Sequence, residues 1–113
     1  MTIRRGEIYL VQLDPTIGSE INKTRPALII QNDVGNQYSP LTIVAPITSQ
    51  GLRKVYPTEV LMARKESGLS KDSKVLLSQI RTIDKSRLIK KMGTLSSRKM
   101  NQVDQAIRIS LDL

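Results

Sequence analysis

The run Pro26-Ala27-Leu28-Ile29-Ile30-Gln31-Asn32 is apolar at four consecutive positions. Side chains alternate across a strand, so a continuous apolar run asks for cover on both faces. Pro26 fits at its start, where no ladder donor is required. The polar stretch before it, Asp14 to Arg25, reads as a long loop. A rigid strand thus begins where a loop rich in Ser19, Glu20, Lys23, Thr24 and Arg25 ends.

The neighbouring segments are short and strand-like. "GEIYLVQL" gives a first strand closed by Asp14-Pro15, and "LTIVAPITS" a third, in which Pro46 predicts a bulge or an edge. "TEVLM" alternates as a fourth strand, and "KVLLSQIRTI" reads as a fifth. "DVGNQYSP", "QGLRKVYP" and "RKESGLSKDS" have the Gly, Asn, Ser and Pro content of loops and turns. "DKSRLIKKMGTL" predicts a helical turn from Asp84 and another short strand. From Ser97 the pattern changes: Met100, Val103, Ile107 and Leu111 fall on one helical stripe, with Ser96 or Ser97 as cap and Asp104 and Arg108 at i, i+4. Five or six strands and a terminal helix predict a small antiparallel barrel or half-barrel, one domain over residues 1–113.

Charge narrows the partners. There are 18 Lys and Arg against 10 Asp and Glu, a net charge of +8. The excess lies mainly after Pro57, and the segment from Arg81 to Lys99 sets seven basic residues against Asp84 alone. Such a balance favours polyanions, nucleic acid first, although a solvated basic face explains it as well. With no apolar run near the roughly 20 residues of a membrane span, and no apolar stretch suited to a signal peptide, a cytoplasmic protein is expected.

The chain has no Cys and no His. Thiol chemistry, Ser-His pairs and the usual zinc ligand sets are therefore excluded, and no carboxylates share a metal-ligand spacing. No phosphate-binding glycine loop is present. Aromatic stacking rests on Tyr9, Tyr38 and Tyr56. One nucleolytic chemistry survives. RNA supplies its own nucleophile, the 2′-OH beside each phosphate, so cleavage needs neither metal nor activated water. It needs positioning, and donors where charge develops on the phosphate. Arginine matches phosphate geometry and stays charged, though it is a poor general base.

Ordered blocks then become specific: "RRGEIYLVQLDPTIGSEINKTRPALIIQND", "NQYSPLTIVAPITS", "PTEV", "KDSKVLLSQIRTIDKSRL" and a terminal "VDQAIRISL". Together they resemble the MazF/PemK family of toxin endoribonucleases over nearly the whole chain. The resemblance implies a mainly β, SH3-like, partly closed barrel with a C-terminal amphipathic helix, assembled as a homodimer. It implies sequence-selective cutting of single-stranded RNA, typically mRNA, with no cofactor or metal, and inhibition by an acidic MazE-like antitoxin. It assigns catalysis to Arg25 and Thr48, and RNA contacts to Ser19, Glu20, Gln79 and Arg81. Some members carry a His in the loop matching Asn22 and Lys23; in its absence Arg25 is expected to act as both clamp and proton donor.

Read alone, each residue has a plainer meaning. Arg25 is also a surface charge before a strand, Thr48 a β-former at a strand end, and Ser19 and Glu20 turn residues. Gln79 and Arg81 flank Ile80 as a solvated strand face, and Asp84 caps the next turn. The competing function is a non-catalytic toxin on the same scaffold, a CcdB-like gyrase poison, or a degenerate homologue that only binds RNA or antitoxin.

Overall fold

The computed structural model describes residues 2–14 and 23–113. Seven strands and three helices follow in the order β1 (Glu7–Gln12), β2 (Thr24–Ile29), α1 (Asp33–Tyr38), β3 (Leu41–Thr48), β4 (Glu59–Met62), α2 (Arg64–Ser67), β5 (Ser73–Leu76), β6 (Arg81–Asp84), β7 (Leu88–Thr94) and α3 (Ser97–Leu111). A 3-10 turn, Lys85–Arg87, separates β6 from β7 and is capped by Asp84, whose carboxylate accepts the Ser86 N–H. All pairings are antiparallel, in the order β4-β5-β3-β2-β1-β7, with β6 also on β3.

β2 has the double burial its sequence asks for. Leu28 and Ile30 enter one core with Ile8, Ala45 and Ile47. Ala27 and Ile29 enter a second with Tyr9, Val11, Leu13, Val44 and Ile83. α3 closes the first core through Met100, Val103 and Ala106. The second is enclosed by the sheet's own curl, helped by register shifts between β1 and β7 at Ile8/Tyr9 and Leu10/Val11. The end strands β4 and β7 do not pair. α2 bridges between them: it follows β4 and sits against β7, and a Cβ on Gly93 would lie 2.0 Å from the Ser67 carbonyl oxygen. The barrel is thus partly closed.

Pro46 marks a fork rather than an edge. Along one side of β3, β6 pairs with Leu41 to Val44 and β5 with Ile47 and Thr48. The Ile43 carbonyl accepts the Ile30 N–H, so Ile43 and Ala45 turn their backbone polar groups toward β2. Pro46 therefore turns its missing donor to the opposite side, into the gap between β6 and β5, where no ladder bond is lost.

Five expectations change. "DVGNQYSP" is the helix α1 rather than a loop: Asn32 caps it by accepting the Gly35 N–H at 2.8 Å, and buried Asn36 accepts from the Thr42 hydroxyl at 2.8 Å. "RKESGLSKDS" contains the single-turn α2, ended by Gly68 at φ 78°. "KVLLSQIRTI" is two strands, because β3 takes β5 and β6 in succession. On α3, capped by Ser96, Leu111 is 49% exposed and Ala106 takes a buried place. Asp104 pairs not with Arg108 but with Arg5, at 2.6 Å. Arg5 also donates to the Ile30 carbonyl, and its N–H to Asp33, tying β2, α1 and α3 together.

Two outcomes follow from this packing. Gly93→Ala forces the Ser67 backbone to move, and is expected to cost about 2 kcal/mol, read as a lower denaturation midpoint; an unchanged midpoint contradicts the close approach. Asp33 is held below the ordinary carboxylate range, chiefly by the Arg5 N–H. A depressed folded pKa stabilises above the unfolded value and is lost as pH falls through the folded one. Asp33→Asn is therefore expected to lower stability at neutral pH and to flatten its decline below roughly pH 4.

Candidate active site

Arg25 is the second residue of β2, and Thr48 the last of β3. The two strands pair as Ile29↔Val44, Leu28↔Ala45 and Ala27↔Pro46. Continuing that register by two residues sets Arg25 opposite Thr48. By alternation both side chains leave the face that carries Ala27, Ile29 and Val44. β2 is fixed on its other side as well, where Arg25 pairs with Val11 of β1. The β2–β3 pairing itself ends at Ala27↔Pro46, and only its extension brings Arg25 and Thr48 to the same end of the sheet.

Thr48 is buried, and its Oγ1 accepts the Gln50 N–H at 3.1 Å. A hydroxyl that accepts in this way keeps its own proton to donate. On the other side of β3, Thr48 pairs with Lys74 of β5. A cleft of about 140 Å³ opens at the same end of the sheet, bounded by Arg25, Pro26, Ile47, Ser49 and Met92 and by the 69–73 segment with Lys71. Thr48 is not among the residues that bound this cleft, which offers the Arg25 guanidinium, the hydroxyls of Ser49, Ser70 and Ser73 and the Lys71 ammonium; such a set suits a phosphate ester as charge builds on its oxygens.

The described residues on either side of 15–22 are tied to one another. The Leu13 N–H donates to the Lys23 carbonyl at 3.0 Å, and the Lys23 N–H to Asp14 at 2.7 Å. Lys23 adopts φ 66°, a left-handed conformation that a non-glycine residue holds at some cost. Arg81 donates to the Leu13 carbonyl at 3.0 Å, and Arg87 to the carbonyls of Gln12 and Asp14. Arg81 pairs with Val44 across β6 and β3, which puts it on the same sheet face as Arg25 and Thr48. It stands opposite Val44, four residues before Thr48, and its guanidinium holds the end of the segment that follows β1. Gln79 does not share its strand: it lies in the turn between β5 and β6, its N–H on the Leu76 carbonyl. Ser19 and Glu20 lie outside the described residues.

Sequence reasoning missed Lys74 and Glu59. Lys74 is buried, and its ammonium donates to Gly51 O, Lys54 O and Glu59 Oε1 at 2.9, 3.0 and 2.8 Å. Burial pushes the Glu59 carboxyl up, but the hydrogen bonds from Lys74 and the Tyr56 N–H outweigh it and hold the group below its ordinary range. The signal was present: a lysine inside the buried run Ser73 to Leu77 demands a partner. Arg87 and Asp14 were missed too, since an arginine that binds main-chain carbonyls leaves no pattern in the letters. Among the described residues, no three potential metal-ligating side chains gather, and no helix is long and apolar enough to cross a membrane.

The likeness to known proteins covers the whole molecule. Residues 4–111 match the model of the PemK-like, MazF-like toxins of type II toxin-antitoxin systems. Endoribonuclease EndoA of Bacillus subtilis (strain 168) is 48% identical over 113 residues, 100% of this chain and 97% of that protein. The Mycobacterium tuberculosis toxin MazF-mt6 superposes with a TM-score of 0.80 at 29% identity, covering 95% of this chain and 97% of its own. MazF of Deinococcus radiodurans shares the fold, with a TM-score of 0.84 over 100% of this chain and 99% of its own at 24% identity. A mycobacterial endoribonuclease in complex with its cognate antitoxin gives 0.78 at 25% identity, over 98% and 96%. With a partly closed antiparallel barrel capped by α3, and a family match that runs almost end to end, the chain belongs to the PemK-like, MazF-like toxins of type II toxin-antitoxin systems.

Proposed function

We propose that this chain, an endoribonuclease toxin, cuts single-stranded RNA at the Arg25–Thr48 pair by attack of the 2′-OH on the adjacent phosphate. The P–O5′ bond breaks as the new P–O2′ bond forms, leaving a 2′,3′-cyclic phosphate and a 5′-hydroxyl. The 2′-OH proton is released to water as the P–O2′ bond forms; Arg25 binds the non-bridging oxygens, stabilises the charge that develops there, supplies the proton taken up by the departing 5′ oxygen and is reprotonated from water. Thr48 donates its hydroxyl to the same phosphate and orients it. Arg81, Gln79, Ser19 and Glu20 contact the RNA on either side. Nothing in this sequence of steps requires a metal ion.

The observation that supports the reading is the β2–β3 register, which runs from Ile29↔Val44 to Ala27↔Pro46 and, extended two residues, leads toward Arg25 and Thr48. The 48% identical endoribonuclease favours it over a CcdB-like poison. A net charge of +8 suits both the RNA and an acidic antitoxin that competes for one basic surface, in a homodimer working in the cytoplasm. The structurally similar mycobacterial endoribonuclease, solved with its cognate antitoxin, supports that partner.

Incubation with a long single-stranded RNA in EDTA is expected to give discrete fragments with cyclic phosphate or 3′-phosphate ends. Intact RNA together with tight gyrase binding contradicts the assignment. Arg25→Ala is expected to lower the cleavage rate by about 10²–10³-fold or more with RNA affinity largely kept. Thr48→Ala is expected to lower it by on the order of tenfold to a hundredfold. Full cleavage by Arg25→Ala refutes its role.

A further inference from the structure

The segment between β3 and β4, residues 49–58, leaves directly from Thr48. Its exposed stretch carries Arg53, Lys54, Val55 and Tyr56, and the Lys54 ammonium lies 5.2 Å from the centre of the Tyr56 ring. A surface loop with so polar a tip ordinarily samples many shapes. This one is held from beneath at four points. The Lys74 ammonium binds the carbonyls of Gly51 and Lys54 as well as Glu59. The same Glu59 oxygen accepts the Tyr56 N–H at 3.0 Å, and the Glu59 N–H returns to the Tyr56 carbonyl at 2.9 Å. An ammonium has three protons, and three acceptors meet them.

A buried ion pair is seldom the cheapest way to fill such a space, since apolar residues of the same volume often serve stability as well or better. What apolar residues could not do is grip two carbonyls and an amide of one loop. Lys74 also stands across from Thr48 in the β3–β5 pairing, so the anchor adjoins the proposed catalytic hydroxyl.

We infer that Lys74 and Glu59 are positioning residues for substrate choice: they lock loop 49–58 in one shape beside Thr48, and the locked loop presents Tyr56 as the stacking surface for a base of the bound RNA. The inference rests on the ribonuclease reading above. Stacking on an aromatic ring accepts any base. Discrimination therefore comes from the fixed shape of the loop, which sets which base fits beside the scissile phosphate, while Tyr56 and its neighbouring cations supply affinity.

The test compares kcat and KM on a short RNA that carries the preferred cut sequence and on versions with one base changed. Lys74→Met is expected to reduce discrimination between them by on the order of tenfold while kcat on the preferred RNA changes less. Glu59→Gln, which keeps the accepting oxygen, is expected to hold the parent pattern more closely. Tyr56→Ala is expected to raise KM by on the order of tenfold, and Tyr56→Phe to restore it. A folded Lys74→Met protein with the parent fragment pattern, or Tyr56→Ala with the parent KM, overturns the inference. Should melting curves show Lys74→Met unfolded, the Tyr56 pair, on the surface, decides it. An unsubstituted protein that cuts no RNA overturns the ribonuclease reading itself, and this inference with it.

Discussion

Everything in the molecule depends on how firmly β2 is held. It is apolar on both faces, and each face enters a different core. A one-residue slip of such a strand would exchange Leu28 and Ile30 for Ala27 and Ile29, against cores shaped for the other set. The register with β3 is therefore specified twice over. Arg25 sits at the start of this strand, so the precision of the cores is transmitted to its guanidinium. A site built on a rigid strand keeps its geometry better than one carried wholly by a loop.

The barrel adds further supports around that axis. Pro46, with no N–H to give, falls where β3 changes partner from β6, whose pairing ends at Val44, to β5, which pairs with Ile47 and Thr48. Arg81 and Arg87 hold the carbonyls of Leu13 and Gln12, at the end of β1. Lys74 and Glu59 hold the loop after Thr48. The end of β1 and the loop after Thr48 are thus anchored by buried or half-buried charges whose bonds go to main chain. That use of charge differs from the pair of Lys91 with Glu7, in which a half-exposed lysine meets a buried carboxylate.

Much of this was legible in the letters, for physical reasons. Four consecutive apolar residues in "PALIIQN" announced a strand covered on both sides, and the cap at Ser96 with its apolar stripe announced α3. The proposed roles of Arg25 and Thr48 rest on ordered blocks shared with a family, since neither stands out alone. What stayed hidden depends on partners far along the chain. "DVGNQYSP" reads as loop because Gly35, Ser39 and Pro40 disfavour helices, yet Asn32 caps it and Asn36 is paid for by Thr42 and Gln31. "KVLLSQIRTI" is strand-like throughout, and only the two-partner edge of β3 divides it. Leu111 belongs to the stripe by spacing, but the helix outruns the core beneath it, leaving Ser110 to bond the Leu77 carbonyl.

The central claim is that Arg25 and Thr48 act on one phosphate as a unit. A double-mutant cycle on the single-turnover rate of RNA cleavage tests it most directly. The account predicts strong non-additivity: once Arg25→Ala is in place, adding Thr48→Ala slows the reaction by much less than it does in the parent protein. Two losses that simply multiply would show that the residues work independently, and would contradict a shared site.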